Sequence, residues 1–439
     1  MTVAPDRSTW LRSDRFLARS VARPINRFLH IEASSGILLL GAAVVALVWA
    51  NSAWSAAYRD LWTTELTLGI GGHDLTEDLR HWVNDGLMTL FFFVIGLEIK
   101  EELTNGQLTT VKEAAIPAAG ALGGMAVPAL LYLALNLGGA GAKGWGIPVA
   151  TDVAFALGVL ALLSRFVPPE LKVLLLGLAI VDDVGAIVII AVFYSEGFNG
   201  IWLAVAAAGL LVVVLLRQVR VRFLPIYVAL GTGIWLATFE SGVHATIAGV
   251  ALGLLTPARP FLLDVDANRV ADELSSDRNV TAAEVRDISF RIRESIPMTE
   301  RLQSLLHPWT GYVVVPLFAL ANAGVAVSGD TLTDAATSPV TLGVVLGLVV
   351  GKIVGVAGAI AIATRLGIGR LPSSVTSRHI LGMAGLAGIG FTVSIFITGL
   401  AFDDPALTDQ AKIGVLAASA IAAAVGALIL ATGRKPTDT

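Results

Sequence analysis

The chain has 439 residues, of which 55% are hydrophobic and only 15% are charged, and its mean hydropathy is +0.77. Because soluble globular proteins carry about 25% charged residues, this composition excludes an ordinary soluble protein and indicates an integral membrane protein. The net charge is only −4, and the chain contains no Cys, which excludes disulfides and thiolate metal sites.

Residues 1–32 are polar and Arg-rich and lack an apolar stretch, so they predict a cytoplasmic N-terminal segment and no cleavable signal. Apolar segments of about the length that crosses a bilayer follow. The twelve segments lie at 33–50, 82–103, 115–136, 145–164, 171–194, 201–216, 223–238, 242–256, 307–326, 340–364, 377–400 and 411–432. They predict an all-α protein with one membrane domain over residues 33–432 and a short cytoplasmic tail at 433–439.

The basic residues predict the orientation of these segments. Of the 30 Lys and Arg residues, Lys352 alone is left in the membrane, away from the ends of a segment, and four fall on the side opposite the N-terminus: Arg59, Arg80, Lys143 and Lys412. All the others fall on the N-terminal side. Because cytoplasmic loops carry the excess of Lys and Arg, both termini are expected in the cytoplasm.

Two polar insertions interrupt the apolar pattern. Residues 64–75 (TELTLGIGGHDL) partly alternate apolar and polar residues around a Gly-Gly pair, which predicts a small outer hairpin, with an unstructured loop as the alternative. Residues 257–306 are charged and predict a cytoplasmic loop that contains an amphipathic helix.

Asp182 and Asp183 stand side by side in LAIVDDVGAIVIIA, near the centre of the fifth segment. A charge at the bilayer centre costs about 3 kcal/mol, so the pair calls for a functional reason. Adjacent helical residues point about 100° apart, so the two carboxylates cannot both face one lone partner, but they can line one cavity between helices. Two like charges this close favour holding a proton on one of them, and their oxygens suit a small alkali cation. The alternative is a capping or salt-bridging pair at a helix end.

Thr151 and Asp152 lie in the fourth segment, in GIPVATDVAFALGVLALL, shortly after Pro148. Proline removes a backbone donor and disfavours helix just before itself, so this segment is expected to be broken or extended there. Thr151 and Asp152 would then stabilise the freed backbone groups, meet a cation, or do both.

Lys352 lies in the tenth segment, between apolar and small residues on both sides that make snorkelling to an interface difficult. It is expected either to pair with a buried carboxylate or to lose its proton. The eleventh segment contains Gly382, Gly385, Gly388 and Gly390, which favour either a local helix break or close helix packing.

Glu98 and His244 are weaker signals. Glu98 lies near the cytoplasmic end of the second segment, in FFFVIGLEIKEEL, and His244 opens the eighth, in SGVHATIAGVALG. A histidine can sense pH near neutrality, although a histidine at this position more often satisfies a helix start.

Six stretches, taken in order, resemble the bacterial NhaA-type sodium/proton antiporters along almost the whole chain. They are NDGLMTLFFFVIGLEIKEEL, PVATDVAFALGVLALL, LAIVDDVGAIVIIA, SGVHATIAGVALG, LHPW at 306–309 and GIGFTVSIFI. The intramembrane Asp-Asp pair within six ordered blocks makes the resemblance highly specific.

The resemblance implies twelve helices in inverted repeats, with the fourth and eleventh broken and crossing near the midplane, as described for transporters of this type. It implies electrogenic exchange of cytoplasmic Na⁺ or Li⁺ for external protons, for pH and sodium homeostasis. Asp182 and Asp183 would carry the proton and the cation, so transported Na⁺ is the one metal expected. Thr151 and Asp152 would belong to the broken-helix assembly, and Lys352 would balance its charge.

The resemblance also implies a place in the bacterial inner membrane, in contact with lipid. A homodimer held partly by an outer hairpin would fit residues 64–75. The protein is expected to be a transporter and not an enzyme, without a cofactor and without a nucleic-acid partner.

Two stretches at the cytoplasmic mouth depart from the family pattern. Residues 100–102 are Lys-Glu-Glu where the family usually has Lys-Arg-Glu, and residues 300–303 supply Glu-Arg and a Gln in place of a basic pair and a Glu. The candidates for pH sensing are Glu98, His244 and Arg301, and the altered charges leave the pH set-point open.

Three other functions could use membrane carboxylates or a buried lysine. An intramembrane aspartyl protease needs carboxylates on two helices and a Gly-x-Gly-Asp motif, which this sequence lacks. A retinal-type pump would use Lys352 as a Schiff base but has seven helices. A passive sodium channel would move Na⁺ without any proton response.

Overall fold

The computed structural model describes residues 34–70, 73–106, 110–195, 197–219, 221, 223–260 and 281–432, and these residues are mainly helical. The first helices are α1 (Ser34–Ala50), α2 (Ser55–Trp62), α3 (Leu79–Thr104), α4 (Val111–Asn136), α5 (Val153–Leu162), α6 (Pro169–Phe193), α7 (Gly200–Gln218), α8 (Leu224–Glu240) and α9 (Thr246–Leu255). They are followed by α10 (Ala282–Glu294), α11 (Met298–Asn322), α12 (Gly329–Thr337), α13 (Pro339–Arg365), α14 (Ser377–Leu386), α15 (Phe391–Ala401) and α16 (Pro405–Ala431).

Each predicted apolar segment overlaps one of these helices, and the eleventh overlaps a bent pair. Within the described ranges, seven helices are long and apolar enough to cross a membrane, and nine spans result if each bent pair counts as one. The bent pairs are α1 with α2, at 116°, and α14 with α15, at 46°. Helices α5, α8 and α9 are shorter, so an integral membrane protein is confirmed and twelve crossings remain a prediction.

The predicted hairpin is present, and it is longer than expected. Strand β1 (Glu65–Ile70) pairs antiparallel with β2 (His73–Asp78), with Thr67 opposite Thr76. The hydroxyls of these two threonines lie 2.8 Å apart. The second strand runs to Asp78 rather than ending at Leu75, because its polar residues continue the pairing. The Gly-Gly pair at 71–72 lies outside the described residues.

The helix of the ninth predicted segment, α11, begins earlier than predicted. Apolar residues alone placed its start at 307, whereas α11 begins at Met298, directly after Pro297 and with Glu300 in its first turn. This first part is amphipathic, so hydropathy did not reveal it. In the loop before α11, helix α10 is the predicted amphipathic helix. Residues 1–33, 261–280 and 433–439 lie outside the described residues, and so do the segments predicted for the two termini.

Local sequence signals explain where several spans start. Helix α6 has Pro169 in its first turn followed by Glu170, which suits a helix N-terminus because proline needs no donor there and the acid meets the helix dipole. In α16, the Asp404 side chain accepts a hydrogen bond from the Ala406 backbone N–H at 2.9 Å. Asn199 caps α7 in the same way.

Close packing of α4 against α13 holds the centre of the molecule. A Cβ added to Gly355 of α13 would collide with the backbone of Gly123 of α4, and one added to Gly351 would meet the backbone of Pro128. Helix α4 also packs against α6. A side chain on α13 can therefore pass beside α4 and reach α6.

Two of the predicted segments contain non-helical backbone. The fourth has a short 3₁₀ turn at Ala140–Gly146 and then no helix until Val153. The eleventh is interrupted at 387–390, between α14 and α15. In the same segment, Gly382 and Gly385 pack against α16, so its glycines serve both the break and close helix packing.

Candidate functional site

The two interrupted segments are hydrogen-bonded to each other. The backbone N–H of Asp152 donates to the Ile389 carbonyl at 2.6 Å, and the Thr151 hydroxyl donates to the Ala387 carbonyl at 2.8 Å. The Ser394 hydroxyl donates to the Ile147 carbonyl at 2.7 Å. In a membrane, non-helical backbone must find its partners within the protein, and each interruption here supplies partners for the other.

The Asp152 carboxylate joins the starts of two helices. One oxygen accepts from the Phe155 backbone N–H of α5 at 3.0 Å. The other accepts from the backbone N–H and the hydroxyl of Thr392, at 3.1 and 2.7 Å, in the first turn of α15. Because helix N-termini carry partial positive charge, this carboxylate neutralises both. Asp152 therefore accepts hydrogen bonds from backbone N–H groups that follow both interruptions.

Lys352 forms an ion pair with Asp182. Its Nζ lies 2.7 Å from Asp182 Oδ2, and neither side chain has any exposed surface. Nζ also donates to the Thr151 hydroxyl at 3.0 Å. The lysine thus connects α13, α6 and the fourth segment. Of the two alternatives predicted for Lys352, pairing with a buried carboxylate is the one the structure shows.

Gly124 of α4 packs closely against α13, because a Cβ there would collide with the Val356 side chain at 2.7 Å. A Cβ on Gly124 would lie 3.6 Å from Lys352 Cδ and 3.8 Å from its Nζ, so the lysine side chain lies directly against this part of α4. A π-helical turn, Gly347–Gly351, comes immediately before Lys352. Such turns are frequent at functional sites.

Asp183 differs from Asp182 in having no partner. It is 8% exposed, and no described residue donates a hydrogen bond to its carboxylate. Asp182 Oδ1 is likewise buried without a hydrogen bond within the described residues. The pair therefore presents carboxylate oxygens that remain available to a proton or a cation.

The charges around Asp183 are mostly negative. Electrostatic repulsion acts on it from Asp182, Glu98 and Asp152, and attraction comes from Lys352. In a low-dielectric interior such an excess of negative charge is costly. It is relieved when a proton or a small cation binds, so the site is suited to both ligands.

Residues 26–430 match the family described as Na⁺/H⁺ antiporter 1. The chain is 46% identical over 436 residues to "Na(+)/H(+) antiporter NhaA 2" of Sorangium cellulosum, a match that covers 96% of this chain and 93% of that protein. It is 48% identical over 414 residues to "NhaA 3" of Frankia alni, with 93% and 89% covered, and 48% identical over 424 residues to "NhaA" of Rhodopirellula baltica, with 94% and 95% covered.

This chain belongs to the Na⁺/H⁺ antiporter 1 family. The resemblance seen in its motifs is confirmed, and the protein is a secondary transporter rather than an enzyme.

The three candidates for pH sensing have different partners in this family member. Glu98, on α3, is half-buried and acts electrostatically on Asp183 and Glu102. The His244 Nε2 lies 2.7 Å from the Tyr194 carbonyl, at the end of α6. Arg301 lies 3.5 Å from Glu294 and donates to the Arg293 carbonyl. Glu98 thus acts on one member of the aspartate pair, Asp183.

Thr392 and Gly124 were missed by the sequence reasoning. Thr392 lies in the stretch GIGFTVSIFI, directly after the glycines that allow the break. A hydroxyl residue in the first turn after a predicted break was a usable signal for it. Gly124 is one of many glycines, and only the path of the Lys352 side chain distinguishes it.

Proposed function

We propose that this antiporter exchanges cytoplasmic Na⁺ or Li⁺ for external protons at one site formed by Asp182 and Asp183. The observation that carries the proposal is the pair of adjacent buried carboxylates in which, among the described residues, only Asp182 Oδ2 has a partner, the Lys352 ammonium. Protons and Na⁺ would compete for the remaining oxygens. A site that opens alternately to the two sides and binds either ligand accounts for exchange without a separate coupling device.

The ion pair offers a source for a second proton. In a proton-loaded state, Lys352 would be charged against Asp182, and Asp183 would hold one proton. If Na⁺ takes both carboxylates, Lys352 loses its partner and its charge becomes costly in a buried site. Release of that proton as well would move two protons for each Na⁺, which makes the exchange electrogenic.

The remaining ligands of the cation would be neutral oxygens. Across the described ranges, no three His, Asp or Glu side chains converge closely enough to hold a metal ion. Hydroxyl, backbone carbonyl or water oxygens suit a hard cation, and Thr151 supplies a hydroxyl beside Lys352. Such a loosely held ion suits transport, which requires release as well as binding.

The wider architecture follows from the same site. We propose twelve crossings in inverted repeats, with the fourth and eleventh segments crossing near the midplane, and the hydrogen bonds between the two interruptions support this. The protein would lie in the bacterial inner membrane with both termini in the cytoplasm, and it would work in lipid without a cofactor or nucleic acid.

Regulation by pH is proposed for Glu98, His244 and Arg301. Near Arg301, Glu101 of α3 accepts a hydrogen bond from Thr299 at the start of α11, so the altered cytoplasmic charges join two helices. Exchange measured against pH in Glu98→Gln, His244→Gln and Arg301→Gln tests each candidate; a profile identical to that of the unmodified protein removes that residue from the set.

The function is tested in everted membrane vesicles from cells without other sodium/proton antiporters. A fluorescent pH-gradient probe is followed as Na⁺, Li⁺ or K⁺ is added at neutral and alkaline pH. Na⁺ and Li⁺ should collapse the gradient. Asp182→Asn and Asp183→Asn should each abolish the response while the folded protein stays in the membrane, and Asp334→Asn, an exposed aspartate on α12, is the matched control.

Normal exchange in either aspartate variant would contradict the proposed site. Movement of ²²Na⁺ without any proton response would instead support a passive sodium channel.

A further inference from the structure

The side chain of Tyr194 is hydrogen-bonded to the 3₁₀ turn Ala140–Gly146, which leads into the interruption of the fourth segment. Tyr194 directly follows α6 and is 5% exposed. Its hydroxyl donates to the Lys143 carbonyl at 2.7 Å and accepts from the Gly146 backbone N–H at 3.1 Å. These two backbone groups are three residues apart, which is the spacing of a 3₁₀ hydrogen bond, so the hydroxyl bridges the last part of the turn.

The turn also packs closely against Tyr194 and the end of α6. A Cβ added to Gly146 would lie 2.7 Å from the Tyr194 hydroxyl. The Trp145 ring meets the ring of Phe193, the last residue of α6, edge to face, with centroids 5.1 Å apart. A change at the Tyr194 hydroxyl therefore acts directly on the backbone of the turn.

Helices α4 and α13 join this cluster at the same end of the molecule. The Tyr132 hydroxyl of α4 donates to the Gly141 carbonyl of the turn at 2.8 Å. The Asn136 amide, at the end of α4, donates to the Pro339 carbonyl at the start of α13 at 2.9 Å. The elements that meet at the aspartate pair are thus joined a second time, through backbone groups of the turn and of α13.

A short buried stretch connects the turn to Thr151, which is five residues after Gly146. The Gly146 carbonyl accepts from the Val149 backbone N–H at 3.2 Å. Ile147 and Val149 have no exposed surface. Because a close-packed interior transmits strain, a shift of the turn moves the Thr151 hydroxyl relative to the aspartate pair.

We propose that Tyr194 is a positioning residue for cation exchange, whose hydroxyl keeps the Thr151 hydroxyl in place beside the aspartate pair. This inference rests on the proposed exchange at Asp182 and Asp183. When Na⁺ displaces Lys352 from Asp182, the contact that the lysine makes between α6 and the fourth segment is lost. The Tyr194 hydroxyl is a second contact between the same two elements, and it holds the site together in that state.

The test measures the KM for Na⁺ and the maximal rate of exchange in everted vesicles at one alkaline pH. Tyr194→Phe keeps the ring and removes only the hydroxyl. Its KM should rise about fivefold, which is the change that the loss of one hydrogen bond produces in a binding constant. The maximal rate should stay within about twofold, because binding is weakened and later steps are not.

Tyr227→Phe is the matched control. It removes a hydroxyl that donates to the Val221 carbonyl at 2.8 Å, at the start of α8, and its KM should not change. An unchanged KM in Tyr194→Phe, or an equal rise in Tyr227→Phe, would overturn the proposal.

A double-variant cycle with Thr151→Ala separates positioning from a general loss of stability. If Tyr194 acts through the Thr151 hydroxyl, Tyr194→Phe should raise the KM of the unmodified protein but not that of Thr151→Ala. The same fold-change in both backgrounds would show that Tyr194 does not act through Thr151, and the proposal would fail.

Gly146→Ala decides the question if Tyr194→Phe does not fold or if Thr151→Ala is inactive. Its added methyl group pushes against the Tyr194 hydroxyl from the other side, so its KM should also rise. Gly139→Ala is the control, because a Cβ there has only the Asn136 carbonyl within 4 Å, at an ordinary 3.5 Å. Equal KM values in the two alanine variants would contradict the proposal.

Asp183→Asn, measured in the same vesicles, separates this inference from the proposed function. Normal exchange in Asp183→Asn would mean that the aspartate site itself is wrong. Loss of exchange in Asp183→Asn together with an unchanged KM in Tyr194→Phe would mean that only the role of Tyr194 is wrong.

Discussion

The buried ion pair between Lys352 and Asp182 places two charges in the protein interior, where their contribution to stability depends on their geometry. Removing two charges from water is costly, and their attraction repays the cost only with close geometry and further hydrogen bonds. Here the distance is 2.7 Å, and Thr151 accepts a second hydrogen bond from the lysine. The pair is thus adequate for stability but leaves Asp182 Oδ1 unsatisfied, and a competing cation can use that oxygen.

Replacing the lysine tests how much the ion pair contributes to stability. Lys352→Gln leaves Asp182 without its counter-charge, and removing one partner of a buried pair costs about 3–5 kcal/mol. We expect a clearly lower unfolding temperature in detergent, with unfolding measured by tryptophan fluorescence.

The double variant Lys352→Gln/Asp182→Asn is the control for this result. It removes both charges and should recover most of the lost stability. If the double variant is no more stable than Lys352→Gln, the loss comes from packing around Lys352 and the ion pair is not its cause.

At this scale the sequence predicted much of the site. A charge inside an apolar segment stands out against its neighbours, which is why Asp182, Asp183, Asp152 and Lys352 were found. The sequence left open whether Lys352 pairs or loses its proton, since that depends on which helix lies opposite. The contact of Thr392 with Asp152 likewise depends on how the two interruptions meet.

At the scale of elements, glycine packing between α4 and α13 determines whether Lys352 can reach Asp182. Gly355 and Gly123 bring the two helices into backbone contact, as small residues do in membrane helix pairs. The distance between α13 and α6 across α4 is then short enough for a lysine side chain.

Gly355→Ala tests this packing. Its added methyl group would overlap the Gly123 carbonyl, so the helices must separate; we expect a lower unfolding temperature and reduced exchange. Gly358→Ala is the matched control, because a Cβ there meets no atom within 4 Å. It should be neutral, or gain up to about 1 kcal/mol from helix propensity. Equal effects of the two substitutions would show that close packing at Gly355 is unimportant.

Element boundaries were predicted less well than element positions. Hydropathy located a helix in each segment, but it missed the amphipathic start of α11 at Met298, where polar residues face a charged loop. It also gave no sign of the π-helical turn at Gly347–Gly351, which depends on hydrogen bonds between successive turns and not on residue type. The break in the fourth segment was predicted because Pro148 has a direct backbone effect.

At the scale of the whole molecule, the hairpin presents exposed apolar side chains. The strands pair through backbone and threonine contacts, and Leu66 and Leu68 on β1 are 43% and 54% exposed. Exposed apolar side chains on a strand favour contact with another protein surface. We propose a second copy of this chain as that partner.

Deleting residues 65–78 with a short Gly-Ser replacement should shift the protein from dimer to monomer and keep Na⁺-dependent exchange. Cross-linking in membranes, or mass photometry in detergent, measures the shift. An unchanged dimer fraction would show that the hairpin does not hold the dimer.

The central claim is that Na⁺ and protons compete for Asp182 and Asp183, and isothermal titration calorimetry of Na⁺ into the purified protein tests it most directly. Titration in buffers of different ionisation enthalpy gives the number of protons released per Na⁺ bound. Binding should release protons, weaken as the pH falls, and disappear in Asp183→Asn. Na⁺ binding that releases no proton and has the same affinity at every pH would contradict the account.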